Sequence, residues 1–167
     1  MTGYTVGTLT PDDQPEWRAL RLEGLRRYPT AFLITVAEQE ARSDDSDRAM
    51  LAHGNWHGLF HAGTLVGFAA MRRMMPEMVC HRADFGPIYV TDAHCGTGAA
   101  QHLMHTLEAQ ARAAGIRQLE LDVSADNPRA IRFYEALGFV RTGTRPRAIW
   151  TETGPIDDHA YIKRLDV

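Results

Sequence analysis

The stretch Ile88-Tyr-Val-Thr-Asp-Ala-His-Cys-Gly-Thr-Gly-Ala-Ala-Gln-His-Leu103 joins a short apolar strand, Ile88 to Val90, through a turn to a glycine loop that opens a helix. Glycines at such a junction let backbone N–H groups approach a ligand with no Cβ in the way. The first amides of the following helix have no intrahelical partner, and the helix dipole adds partial positive charge there. Cys95-Gly96-Thr97-Gly98-Ala99-Ala100 is therefore a candidate pyrophosphate cradle. A lone Gly-x-Gly before a helix is also a common tight turn, so the loop alone does not decide the matter.

A second stretch, one strand downstream, adds to it: Asn127-Pro-Arg-Ala-Ile-Arg-Phe-Tyr-Glu-Ala-Leu-Gly-Phe139. Together the two stretches resemble the GNAT superfamily of acyl-CoA-dependent N-acyltransferases. Its cofactor loop reads Gln/Arg-x-x-Gly-x-Gly/Ala, and its next helix often reads Asn-x-x-Ala-x-x-Phe-Tyr-Glu-x-x-Gly-Phe. The second pattern is met at every named position. The resemblance is strongest over residues 83 to 141. It implies an α/β (α+β) fold with a mixed central sheet of about seven strands and helices on both faces, in which two parallel strands splay and acyl-CoA wedges between them. Here those are the strands ending at Val90 and Val123.

Periodicity along the chain predicts the order βααβββαβαββ. Tyr4 to Leu9 alternates as a first strand. Thr10-Pro11-Asp12-Asp13 carries an N-cap, a first-turn proline and acids near the positive helix end. Trp17, Leu20, Gly24, Leu25 and Tyr28 share one helical face, which Pro29 ends, and a second helix is expected over about Ala37 to Ala52. Asn55 to His61 and Thr64 to Arg72 read as strands turned by Ala62-Gly63, and Met74 to Met78 as a loop. Gly86-Pro87 inside the strand from Cys80 to Val90 favours a bulge or splay, since proline cannot donate to a ladder. The helix after the glycine loop ends at Gly115. Leu119, Leu121 and Val123 alternate with acids, and Asn127 and Gly138 bound the next helix. Val140 to Ile149 and His159 to Leu165 are the last strands, with a polar turn at Gly154-Pro155.

The resemblance also implies roles. Cys95, Gly96, Thr97, Gly98, Ala99 and Ala100 would bind the pyrophosphate of acetyl-CoA through backbone amides. Ile88, Tyr89 and Val90 would line the pantetheine arm, with the Val90 N–H polarising the thioester carbonyl, and Asn127 and Ala130 would touch the far side of that arm. Tyr134 would protonate the departing thiolate; its alternative reading is a core aromatic beside Ile131 and Leu137. Asp84 is the candidate base, and an acid flanked by Ala83 and Phe85 is a candidate for a raised pKa. Its alternative is a solvated strand-end carboxylate, and His81 and Glu77 are weaker substitutes. Tyr28 and Phe32 would line an acceptor pocket, whereas Trp56 reads as core. Cys95 departs from the family's Gln or Arg; a cradle built mainly of backbone tolerates this. No base beside Cys95 marks it as a nucleophile.

Composition narrows the rival classes. At 167 residues, 44% apolar and 23% charged, the chain suits one globular domain. A net charge of −3 argues against general binding to nucleic acid or anionic membranes, although Arg141, Arg145 and Arg147 gather and leave a local anion site open. No apolar run approaches the roughly 20 residues that span a bilayer. The N-terminal residues lack a signal-peptide pattern, and two cysteines suit a reducing cytoplasm. His102 and His105 lack an acidic or cysteine partner for metal, and the run Ser43-Asp-Asp-Ser-Asp47 reads as a solvated turn or helix start. A dinucleotide-binding oxidoreductase, with Asp122 as its ribose acid, is disfavoured because Gln101 stands where the third glycine belongs. The resemblance thus implies acetyl transfer from acetyl-CoA to a primary amine of a small molecule or peptide, without metal, in a protein that pairs as a homodimer by family habit. The alternative is a non-catalytic acyl-CoA-binding or sensor module of the same fold.

Overall fold

The computed structural model describes residues 3–166. In chain order the elements are β1 (Tyr4–Thr8), α1 (Gln14–Arg27), α2 (Val36–Ala41), α3 (Asp44–Ala52), β2 (Trp56–His61), β3 (Thr64–Arg73), β4 (Arg82–Val90), α4 (Ala99–Ala113), β5 (Gln118–Ser124), α5 (Pro128–Ala136), β6 (Val140–Thr151) and β7 (Gly154–Arg164). Single 3-10 turns lie at Pro11–Asp13, Glu77–Val79 and Asp92–His94. The strands form one seven-stranded mixed sheet in the order β1-β2-β3-β4-β5-β7-β6. Strands β1 and β2, β2 and β3, β5 and β7, and β6 and β7 pair antiparallel. The parallel register of β4 with β5 covers the first three residues of β4, Arg82↔Gln118 to Asp84↔Glu120.

Local chemistry explains most boundaries. The Thr10 amide and hydroxyl both donate to Asp13 Oδ2, at 2.7 and 2.9 Å, ahead of α1. Thr35 and Glu38 form a reciprocal capping box on α2, and Asn127 Oδ1 accepts from the Ala130 N–H to start α5. Ala62 and Gly63 both take positive φ, 49° and 81°, and turn β2 into β3 as expected for a two-residue hairpin. Gly86 sits within β4 at φ 128°, a value that strains any residue with a Cβ, so the expected irregularity in this strand is present there.

Three differences have physical causes. The single helix expected over Ala37 to Ala52 is two, broken where Arg42 turns extended (ψ 138°) and Ser43 becomes a new N-cap, accepting from the Ser46 N–H. The acidic run that follows is a helix start, as expected, but it is not wholly solvated. Asp47 is 0% exposed, ion-paired to Arg18 and Arg42 and bonded by Gln39. Finally, β7 begins at Gly154 rather than His159, because Glu152 and Thr153 alone make the turn from β6.

The chain divides into two compact units. One holds the described residues up to Met71 with Pro87–Leu107, and the other Arg72–Gly86 with those from Glu108 onward. In the first, Leu9, Trp17, Leu20, Leu25, Phe32, Leu51, Trp56, Phe68 and Tyr89 share a core. The Trp17 and Trp56 rings meet edge-on at 4.9 Å, which bears out the core reading of Trp56. The Arg21 guanidinium stacks on both, at 5.3 and 5.0 Å, and burial lowers its pKa to about 10. In the second unit Leu119, Leu121 and Val123 of β5 are buried, while Glu120 and Asp122 point to the more open side.

Gly67 in β3 is needed for close approach to β4. A Cβ there would lie 2.8 Å from the Tyr89 carbonyl oxygen and 3.0 Å from Val90 Cγ2. Gly67→Ala is expected to cost roughly 1–3 kcal/mol of stability, as overpacking does. Gly7→Ala, whose Cβ meets only Phe60 at 3.8 Å, should cost much less in parallel denaturant titrations.

Candidate functional site

The glycine loop is held by its own unit. Gly96 and Gly98 take φ 75° and 86°, and a Cβ on either would meet nothing within 4 Å, so the space above both is open. The first helical bond of α4 runs from the His102 N–H to the Gly98 carbonyl at 2.9 Å. The amides of Ala99, Ala100 and Gln101 precede that bond and have no acceptor one turn back. The Thr97 hydroxyl donates to the His94 carbonyl at 2.7 Å. The Tyr4 hydroxyl of β1 lies 2.8 Å from both Thr97 Oγ1 and His94 Nδ1. Because the Thr97 proton is already engaged, Tyr4 donates to Thr97 and accepts from His94. The half-buried Cys95 thiol points back to the Val90 carbonyl at 3.7 Å, so the side chain that replaces the family's Gln or Arg faces the strand end. The cradle is thus a backbone device, and its residues fit a bound pyrophosphate without that side chain.

The end of β4 presents one amide in a defined direction. The Thr91 N–H donates to the Val66 carbonyl on β3 at 2.9 Å. Successive amides of an extended chain point to opposite edges, so the Val90 N–H faces away from β3. Ile88 is half-buried, and Tyr89 and Val90 are 4% and 9% exposed. The Tyr89 ring packs 5.9 Å from Phe68 and 6.3 Å from Tyr28, and its hydroxyl donates to Glu23 Oε1 at 2.6 Å. Burial, and then that carboxylate, push the Tyr89 phenol well above its usual range. Of the expected acceptor residues, Tyr28 is half-buried and donates to Asp92 Oδ1 at 3.2 Å, while Phe32 is 6% exposed within the core. The carboxylates that hold the Tyr89 and Tyr28 hydroxyls, Glu23 and Asp92, were not legible in the sequence. Glu23 is an exposed helical acid with arginines three and four residues on, which reads as a solvated helix face.

The second unit carries the remaining candidates. Tyr134 on α5 is 7% exposed, its ring edge-on to Phe133 and Phe139 at 5.4 and 5.8 Å. Burial alone pushes its phenol well above the usual range, so it keeps its proton at neutral pH. Asn127 Oδ1 and the Ala130 amide, both expected to reach the pantetheine arm, are bonded to each other as the α5 cap. Asp84 departs from expectation. Its apolar sequence neighbours do not enclose it: Asp84 Oδ2 takes a 2.5 Å hydrogen bond from Arg72 Nη2, and its side chain is 35% exposed. The cause is strand alternation, which turns Ala83 and Phe85 to the opposite face. Of the basic triplet, only the Arg145 side chain meets carboxylates among the described residues. Arg145 pairs with Asp122 and Asp158 at 3.5 and 3.7 Å, Arg147 stacks on Trp150 at 5.3 Å, and Arg141 donates to Thr144. Among the described residues no group of three His, Cys, Asp or Glu could hold a metal ion, and no helix is long and apolar enough to cross a membrane.

Comparison with known proteins gives a consistent picture. The model of the acetyltransferase (GNAT) family matches residues 15–139. A mycothiol acetyltransferase of Brachybacterium faecium is 28% identical over 146 residues, 85% of this chain and 42% of that protein. An uncharacterized N-acetyltransferase of Mycobacterium tuberculosis is 38% identical over 85 residues, 51% of this chain and 52% of the relative. The chain thus spans about half the length of these curated relatives. Among solved structures, a putative acetyltransferase of Salmonella typhimurium determined with its cofactor acetyl-CoA superimposes with a TM-score of 0.82 at 18% identity, covering 98% of this chain and 95% of that one.

Proposed function

Because the chain belongs to the acetyltransferase (GNAT) family, we propose that it is an N-acyltransferase that moves an acetyl group from acetyl-CoA to a primary amine by direct attack in a ternary complex. The observation that carries this reading is the cradle: two glycines at positive φ with open space above them, leading directly into the first turn of α4. The amides of that turn and the α4 dipole hold the pyrophosphate of the donor. Ile88 to Val90 flank the pantetheine arm. Asn127 and Ala130 act in this reading chiefly through the cap that fixes the start of α5.

The chemistry follows from what each group can do. The amine nitrogen forms a bond to the thioester carbonyl carbon, and negative charge grows on the carbonyl oxygen. The Val90 N–H, directed away from β3, stabilises that charge. The C–S bond then breaks, and the Tyr134 hydroxyl supplies a proton to the departing thiolate. Burial keeps that hydroxyl protonated at neutral pH, as a general acid requires. The amine loses its proton to water, with Asp84 as the carboxylate that accepts it in this reading. Asp84 then acts from a partly solvated position beside Arg72. The acceptor is an amine of a small molecule or peptide, and the protein works in the cytoplasm.

A thermal-shift titration tests the donor class. A ligand that binds only the folded state stabilises it by about 2.7 kcal/mol at a hundredfold excess over Kd. For a domain of this size that is a rise of roughly 5–11 °C in Tm. Acetyl-CoA is expected to raise Tm in this dose-dependent way and NAD to leave it unchanged. A flat response to acetyl-CoA would overturn the reading. Thiol release during an amine screen then separates an enzyme from a module that only binds acyl-CoA.

A further inference from the structure

Resting on the acyl-transfer reading above, we propose that Glu23 is an acceptor-binding residue, and that the acceptor carries a second cationic group besides the amine that reacts. The buried Tyr89 hydroxyl donates to Glu23 Oε1 at 2.6 Å, which fixes the carboxylate and leaves Oε2 for a ligand. Glu23 itself is exposed on α1.

No ion pair neutralises this carboxylate directly, although the Arg27 charge also reaches the Tyr89 hydroxyl. Arg26 and Arg27, three and four residues further along α1, are the natural helical partners of Glu23. Both are engaged elsewhere: Arg26 pairs with Glu40 at 2.8 Å, and Arg27 pairs with Asp92. Asp92 also accepts the Tyr28 hydroxyl. Among the described residues no Arg, Lys or His forms an ion pair with Glu23. Tyr28, half-buried and 6.3 Å from the Tyr89 ring, adds an aromatic face to the cluster. A carboxylate with no ion-pair partner near an aromatic face suits a cation and repels an anion.

Position then decides which cation. Tyr89 is bonded to Val90, whose N–H is the proposed partner of the reacting carbonyl. Glu23 therefore lies one tyrosine side chain away from the reaction centre. A carboxylate in contact with the attacking nitrogen would also hold it as ammonium, with no lone pair to attack. The charge that Glu23 takes accordingly belongs to the far end of the acceptor. A carboxylate at that end would meet Glu23 and be repelled.

Calorimetry on the coenzyme A-saturated full chain tests this, with putrescine, a diamine, against butylamine, which lacks the second cation. Putrescine is expected to bind the wild type roughly tenfold or more tightly than butylamine, as a charge-assisted hydrogen bond allows. Glu23→Gln should erase that preference, and Glu23→Asp should restore part of it. In turnover, Glu23→Gln should raise KM for the diamine with kcat nearly unchanged, a split that loss of folding would not produce. Absence of putrescine binding, equal binding of the two amines, or a preference that survives Glu23→Gln would each overturn the proposal. Acetyl-CoA affinity, measured in the same samples, is expected to be equal in wild type and Glu23→Gln. Its absence from the wild type would instead strike the acyl-transfer reading itself.

Discussion

Tyr134→Phe is expected to lower turnover by roughly a hundredfold or more, the usual range for loss of a positioned general acid. The acetyl-CoA dissociation constant should stay the same. The change removes one oxygen and no ring contact, so the packing against Phe133 and Phe139 survives, and Tm should move little. The two readings of this side chain diverge here. A tyrosine that only fills the second unit's core would be replaced by phenylalanine without kinetic loss. A buried phenol that is held protonated and aimed at a leaving thiolate would not. Stopped-time thiol release with a reactive amine, together with calorimetry for acetyl-CoA, separates the cases. Unchanged turnover in the variant would remove Tyr134 from the mechanism.

The largest loss of stability is expected from Asp47→Ala. Asp47 is fully buried and holds α1, α2 and α3 together through Arg18, Arg42 and Gln39. Its removal takes from Arg18 and Arg42 the buried carboxylate they share, leaving the 18%-exposed Arg18 with only the more distant Asp44, at 4.0 Å. Breaking a buried pair from one side typically costs about 3–5 kcal/mol, because the remaining charge has no counterion. For a domain of this size that corresponds to a fall of roughly 6–20 °C in Tm. Asp45→Ala, in the same acidic run but with a side chain 97% exposed, should leave Tm within error. Equal effects of the two substitutions in differential scanning calorimetry would show that the Asp47 network does not stabilise the helices.

The contrast between Asp45 and Asp47 also shows where local pattern stops being informative. The Thr10 and Asn127 caps, the Ala62-Gly63 hairpin, the alternation of Leu119, Leu121 and Val123, and the glycine loop all depend on residues within a few positions of one another, and each was legible in the chain. The break between α2 and α3 was legible only in the turn or helix start read at Ser43 to Asp47, against the single helix expected over the whole segment. Ala37 to Ala52 has helical composition throughout, and what stabilises a new start at Ser43 includes partners on α1, more than twenty residues away. Asp84 misled for a related reason: its sequence neighbours are apolar, but its spatial neighbour is Arg72, across a strand turn. Glu23 was hidden because its two natural helical partners are claimed by Glu40 and Asp92, a fact that only tertiary contacts record.

The Tyr4 hydroxyl joins the cradle to β1, which lies at the edge of the sheet with β2 as its neighbour. Edge strands open more readily than central ones, and here that opening would release the hydroxyl that braces Thr97 and His94. Loop order and strand order are then one equilibrium with two readouts. Reciprocity requires that a phosphate which tightens the loop also suppresses fraying of β1 by the same factor. On the proposed reading of the cradle, a change confined to the first strand therefore alters donor affinity without touching a single group that meets the donor.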